Sequence, residues 1–146
     1  MTSYGGKELA SAFRTVRKNT IQVAADIPES QYGFVAAPEV RSVGRMLTHM
    51  AIATRISKDI DKTKRLTSLV GYDFFGLLER FNAEEAKTGR RAEILELLRT
   101  EGDRFAAWLE TLTPEFLAER VTEPDGKATK SRLPTWFDPS PFPSSI

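Results

Sequence analysis

The sequence predicts an all-α protein, and two observations carry this prediction. Apolar residues recur at spacings of three and four along four stretches of the chain, which is the helical period. No stretch alternates apolar and polar residues as a half-buried strand does. The 146 residues suffice for one domain with one sizeable core. We therefore expect a helix bundle whose antiparallel neighbours are joined by short connections.

The first helix is predicted over residues 7–27. Pro28 ends it, because proline disfavours the α conformation in the residue before it. The expected buried stripe consists of Leu9, Phe13, Val16, Thr20, Val23 and Ile27. The opposite, polar face is expected to carry Arg14, Arg17, Lys18 and Gln22.

The second helix is predicted over residues 42–61, with Ser42 as its N-cap. The residues expected on its buried side are Val43, Met46, Leu47, Met50, Ala53, Ile56 and Ile60. The polar stretch DKTKRLTS that follows indicates a solvated turn.

Two further helices are predicted over residues 73–86 and 91–112. Asp73 is expected to cap the shorter one, whose inward residues are Phe74, Leu77, Leu78 and Phe81. The longer one has an apolar face of Ile94, Leu98, Phe105, Trp108, Leu109 and Leu112. The charge run AEEAKTGRRAEI between them indicates a solvated helix junction.

The helical period ends near Arg120, after a single turn that starts at Thr113 and Pro114. Residues 121–146 hold five of the eight prolines, and such a segment cannot propagate a helix. We therefore expect a helical domain over residues 1–120 and an irregular, Pro-rich tail over residues 121–146.

The composition excludes several classes of function. The 21 basic and 20 acidic residues give a net charge of +1, which provides no broad field for nucleic acid or an anionic membrane. The absence of cysteine excludes disulfides, thiolate nucleophiles and Cys-ligated zinc. The stretch MTSYGGKELASAF is not apolar as a signal peptide is, and no run of about 18 apolar residues occurs, so we expect neither secretion nor membrane insertion. We therefore expect a cytoplasmic protein. No sequence motif identifies a catalytic residue.

His49 is the only histidine and lies on the flank of the second helix's apolar stripe. It is either a polar residue at the edge of the core or a metal ligand. A transition-metal site normally needs three or four donors, and a neutral imidazole supplies one. The chain has no second histidine at a metal-binding spacing.

Glu101 falls within the apolar stripe of the long fourth helix, which would place a carboxylate against the core. Burial of a carboxylate is costly unless the group is paired or coordinated. One interpretation is an inter-helix ion pair, or a side chain that extends to the rim of the core. The other makes Glu101 a metal ligand or a general base opposite His49.

The stretches FRTVRKNTIQVAADIPESQYGFVAAPEVRSVGRMLTHMAIA and AEILELLRTEGDRFAAWLETLTPEFLAERVT resemble the DinB-like superfamily of small bacterial proteins, which includes YfiT-type metal-dependent hydrolases and thiol-dependent transferases. The similarity covers roughly residues 8–132. Its most specific part is the turn IPE followed by PEVRSVGRMLTH, which enters a helix that bears a histidine.

The resemblance implies an up-down-down-up four-helix bundle, commonly dimeric, with a divalent ion such as nickel or zinc held by three histidines. His49 matches the ligand on the second helix. The other two ligands belong to a last helix, where this chain reads LPTWFDPSPFPSSI. We therefore expect a truncated, frameshifted or divergent C-terminus, a missing or divergent last helix, and a metal that is weakly bound or absent.

Two functional hypotheses remain open at this stage. An enzyme would use a metal to lower the pKa of a bound water or thiol, with Glu101 as a speculative proton acceptor. A non-catalytic module would instead self-associate or bind a partner through the groove that the missing helix exposes. We expect a homodimer, or, in a monomer, a tail that folds over the groove through Leu133, Trp136 and Phe137.

Overall fold

The computed structural model describes residues 5–63, 66–87 and 89–132. Its helices are α1 (Gly6–Asp26), α2 (Val43–Ile52), α3 (Arg55–Ser57), α4 (Phe74–Lys87), α5 (Arg91–Glu110) and α6 (Pro114–Ala118). A 3-10 turn spans Glu29–Gln31 and a π-helical turn spans Lys58–Thr63. Two short strands, β1 (Arg120–Thr122) and β2 (Thr129–Ser131), come after α6. The predicted all-α class is confirmed. The predicted helices near residues 7–27, 73–86 and 91–112 end within two residues of the observed ones.

Helices α1 and α5 pack antiparallel along most of their length. Gly6, at the start of α1, lies so close to the end of α5 that an added Cβ would be 2.1 Å from the carbonyl oxygen of Leu109. At the opposite end, the Arg91 guanidinium donates to the carbonyl of Ala25. Only a glycine allows the approach at Gly6, because any side chain would collide with the backbone.

Helices α2 and α5, by contrast, run parallel. Gly44 at the start of α2 lies against Ile94 in the first turn of α5, and Arg55 just beyond α2 reaches Glu101 further along α5. Helix α4 runs back along α2 and so provides the crossover that a parallel pair requires. Helices α1, α2 and α5 therefore run up, down and down. The last helix that the DinB resemblance implies would fall after residue 132, and residues 133–146 lie outside the described part of the chain.

The second predicted helix is interrupted. Ser42 is its N-cap as predicted, since the Arg45 amide donates to Ser42 Oγ at 3.2 Å. The helix ends at Ile52, and a turn at Ala53 and Thr54 separates it from α3 and the π-helical turn, so the prediction of one helix to residue 61 is wrong. This turn directs the Arg55 side chain towards α4 and α5.

The predicted buried faces of the first two helices are also partly wrong. Arg17, expected on the polar face of α1, is buried, and its guanidinium donates to the carbonyls of Leu98 (2.7 Å) and Met50 (3.2 Å). The apolar residues that are exposed instead are Val16 and Val23 on α1 and Met46 and Met50 on α2. The face of α2 that meets α5 is a neighbouring one, with Gly44, Leu47, Thr48, Ala51 and Ile52.

The buried apolar residues form a main cluster between α1, α2, α4 and α5, a second between α1, α5 and α6, and a small third cluster of Ile60, Leu69 and Val121. The main cluster consists of Ala24, Tyr32, Leu47, Ala51, Ile52, Leu77, Phe81, Ile94 and Leu98. The second cluster consists of Leu9, Ala10, Phe13, Phe105, Ala106, Leu109 and Leu117. Burial of apolar surface stabilises a fold by about 25 cal/mol per Å², so these clusters are the main source of stability.

The residues that follow α6 form a short hairpin in which β1 and β2 pair antiparallel. Arg132, just after β2, is buried and forms ion pairs at 2.7 Å with Asp61 and with Glu119. The described part of the segment predicted to be irregular, residues 121–132, is thus ordered against the helices. Periodicity could not reveal it, because three-residue strands are too short to show alternation.

Candidate functional site

Glu85 is fully buried near the end of α4, although it is a carboxylate. It continues the buried face of this helix at a spacing of four residues from Phe81 and eight from Leu77. A buried charge of this kind is tolerated only when it is paired and hydrogen bonded. Its partners therefore define the most unusual polar centre of the bundle.

Three cationic or ionisable side chains surround this carboxylate. Arg41 Nε donates to Glu85 Oε1 at 2.7 Å, and Arg45 Nη2 lies 3.8 Å from the same oxygen. His49 Nδ1 lies 2.8 Å from Oε2. Ser42 caps α2 in the orientation that places Arg45 and His49, one turn apart, on the side of α4. We refer to Glu85, Arg41, Arg45 and His49 as the Glu85 cluster.

The pKa of Glu85 is lowered from its ordinary value. Burial on its own acts to raise it, but the hydrogen bonds from Arg41 and His49, together with their charges, outweigh burial. Glu85 is therefore ionised at neutral pH and can only accept hydrogen bonds. It follows that His49 Nδ1 is the donor of this pair, and that Nε2 is the ring nitrogen left for other partners.

The Glu85 cluster corrects one sequence interpretation. Glu84 and Glu85 belong to the charge run AEEAKTGRRAEI, which was expected to be a solvated helix junction. Glu85 is instead at the centre of the polar network. Its spacing from Phe81 was the signal that could have revealed it, because a residue four positions along a helix from a buried aromatic side chain shares its face.

Glu101 belongs to a second ion-pair network next to the Glu85 cluster. Its Oε1 accepts from Arg55 Nη2 at 2.5 Å and from Nε at 3.1 Å. Arg55 also donates to Glu84 Oε2 at 2.5 Å, so one guanidinium joins α4 to α5. The bond to Arg55 corresponds to the inter-helix ion pair that was one of the two interpretations of Glu101.

The two sequence-predicted site residues thus contact different partners. His49 pairs with Glu85, and Glu101 pairs with Arg55. The networks adjoin because Glu84 and Glu85 are consecutive in α4. Sequence reasoning did not select Glu85, Arg41 or Arg55, since each acts through a contact with a distant part of the chain.

A cleft of about 420 Å³ opens beside the second network. We refer to it as the Trp108 cleft. Its lining includes Thr54, Arg55, Glu101, Arg104, Phe105 and Trp108. One wall is aromatic, since the rings of Phe105 and Trp108 are 5.6 Å apart. Small-molecule sites commonly combine such apolar walls with a few polar groups.

Comparison with known protein families was decisive for the fold family. The sequence profile of the DinB superfamily matches residues 12–137, which is most of the chain. The chain belongs to the DinB superfamily. The predicted resemblance is therefore confirmed, and the DinB match extends beyond residue 120, where the sequence pattern indicated a domain boundary. No curated protein and no solved structure matches the chain significantly.

A divalent metal, which the DinB resemblance implies, does not fit the donors of the described residues. They contain no group of three or more His, Cys, Asp or Glu side chains placed to hold a metal ion. A carboxylate on Nδ1 commonly orients a metal-binding histidine, so His49 alone would be suitable. However, both oxygens of Glu85 are engaged, and Arg41 and Arg45 place positive charge beside it.

Across the described residues, no helix combines the length and the apolar character that a membrane crossing would need. The longest helices, α1 and α5, both carry charged residues along their length.

Proposed function

We propose that this DinB protein has an incomplete metal site and that His49 serves instead to hold Glu85. On this proposal the chain lacks the metal-dependent hydrolase or thiol-transferase activity of the proteins that it resembles. The single observation that supports it most is the arrangement at Glu85, whose two oxygens are held by His49 and by Arg41. Among the described residues, a divalent ion at His49 Nε2 would find one imidazole and no group of three donors, whereas such ions need about three protein donors.

The test is the metal content of the full chain after incubation with zinc or nickel and dialysis. We expect well under one equivalent, and no difference between the wild type and His49→Ala. Lys87→Ala, at the exposed end of α4, serves as the surface control. Retention of one equivalent that is lost only in His49→Ala would contradict the proposal and reveal donors outside the described residues. Half an equivalent per chain, lost in His49→Ala, would reveal a site shared by two subunits and would contradict it equally.

Self-association is a second candidate function, and one specific observation favours it. Val16 and Val23 on α1 are 61% and 58% exposed, and Met46 and Met50 on α2 are 45% and 40% exposed. The two helices meet where Arg17, next to Val16 in the chain, donates to the Met50 carbonyl. We refer to these four residues as the α1/α2 face. Several large apolar side chains exposed on neighbouring helices are typical of an interface.

On this second proposal, two copies bury the α1/α2 face against each other. Light scattering of the full chain at tens of micromolar is expected to give the mass of a dimer. The double variant Val16→Glu/Met46→Glu should give a monomer, and Phe75→Glu, which changes an exposed residue on α4, should leave the dimer intact. A monomeric wild type would overturn this candidate.

A further inference from the structure

The Trp108 cleft has a charge pattern that the two ion-pair networks do not explain. Arg55 is engaged by both Glu84 and Glu101, so its charge is compensated. Arg104 also lines the cleft, and its side chain is 71% exposed. Its Nη1 lies 4.0 Å from Glu101 Oε1, an oxygen that already accepts from Arg55.

The Arg104 guanidinium is an exposed positive charge at the rim of the cleft. Glu84 and Glu101 hold Arg55, whereas Arg104 shares only the Glu101 oxygen that Arg55 already occupies. An exposed guanidinium that shares a carboxylate with a better-placed arginine can donate to an incoming anion without breaking a strong ion pair.

The wall beside Arg104 is apolar and aromatic. Phe105 is buried, whereas Trp108 is only half-buried, so part of its ring faces the opening. Ala107 also lines the cleft and leaves room there because its side chain is a single methyl group. Aromatic side chains at the mouth of a cleft offer a large contact area at a low entropic cost.

From this juxtaposition we propose that the Trp108 cleft binds a small amphipathic monoanion. Its flat apolar body lies against Trp108 and Phe105, and its carboxylate accepts hydrogen bonds from Arg104. His49 does not line this cleft, so a test of this proposal is independent of the test of the incomplete metal site.

The probe for the test is 2-naphthoate, with the neutral isostere 2-naphthamide as the matched ligand. Binding to the full chain is followed by NMR through the indole N–H signal of Trp108, which is assigned with Trp136→Phe. We expect the Trp108 signal to shift with 2-naphthoate and the affinity to be about fivefold higher than for 2-naphthamide, as an exposed ion pair allows.

Three variants locate the site. Arg104→Gln should remove the preference for the anion, whereas Ala107→Phe should fill the cleft and weaken binding of both ligands at least tenfold. Arg90→Gln is the control, because Arg90 is exposed at the start of the same helix and also lies 4.0 Å from a glutamate, Glu93. The Arg104→Gln result does not depend on whether Ala107→Phe folds.

The proposal is overturned if neither ligand shifts the Trp108 signal, if the amide binds as well as the acid, or if Arg90→Gln reduces the preference as much as Arg104→Gln does. Occupation of the cleft by another part of the chain or by a second copy would give the first of these results.

Discussion

His49 and Glu85 are 36 residues apart in the chain, and His49 Nδ1 donates to Glu85 Oε2 across 2.8 Å between α2 and α4. The side chain of His49 remains 29% exposed, whereas that of Glu85 is completely buried. His49 thus lies between the solvent and the buried charge of Glu85. Glu85 is the more demanding member, because a buried carboxylate costs stability as soon as a partner is lost.

Glu85→Gln should destabilise the protein. The amide keeps the shape of the side chain but removes the charge that Arg41 and His49 stabilise. Its NH2 group would also face the N–H of Arg41 or of His49, so that two donors would oppose each other. Because Arg41 is 36% exposed and partly hydrated, we expect a loss of about 1–3 kcal/mol in the free energy of unfolding. Urea denaturation measures this loss, with Glu79→Gln on the exposed side of α4 as control. Equal effects of the two substitutions would contradict the assigned role.

The stability difference between the wild type and Glu85→Gln should depend on pH. Because the folded-state pKa of Glu85 is lowered, its contribution is present above the unfolded-state pKa of about 4.3 and is lost as the pH falls through the lower folded-state value. The difference should therefore persist at pH 5.5 and shrink towards pH 3. A difference that increases on acidification would show that the pKa is raised instead.

Arg17→Met should cost about 1–2 kcal/mol, because the carbonyls of Leu98 and Met50 lose a charged donor while methionine keeps most of the packing. Arg14→Met is the matched control one turn earlier. Arg14 pairs with Glu110 at the surface, where both side chains are about half exposed, so its loss should cost less than about 1 kcal/mol. Chemical denaturation of both variants distinguishes the buried arginine from the exposed one.

Gly6→Ala should destabilise the α1–α5 contact although alanine favours helices. The new methyl group would lie 2.1 Å from the Leu109 carbonyl oxygen, and separation of the helices should cost about 1–3 kcal/mol. Gly33→Ala is the control, since a methyl group there would have no heavy atom of a non-adjacent residue within 4 Å. An equal fall in the midpoint of denaturation in both variants would show that α1 and α5 are not in such close contact.

Local signals predicted most of the helices because their causes are local. Ser42 caps α2, Pro28 follows α1, and Asp73 Oδ1 accepts from the Gly76 amide at the start of α4, all within four residues of the helix ends. The break after Ile52 was missed because the apolar period continues through it to Ile60.

The buried faces and the polar centres depend on contacts between distant residues, which periodicity does not record. Arg17 was assigned to the solvent face because it is charged, yet backbone carbonyls on two other helices satisfy it. Glu85 was passed over because it stands in a charged run, although its partners Arg41 and His49 come from earlier in the chain. His49 and Glu101 were singled out for their chemical type alone, and their partners decide what each of them does.

The pairing of α1 with α5, the last long helix described, also affects how the chain folds during synthesis. Arg17 and Leu98 are separated by 81 residues, so the side of α1 that packs on α5 lacks this partner until most of α5 has been made. At a synthesis rate of about 5–20 residues per second, α1 and α2 wait several seconds with their apolar surfaces uncovered. Contacts between residues so far apart also slow folding, because the intervening loop must close first. The ribosome-bound chain is therefore the stage at which this bundle depends most on protection from aggregation.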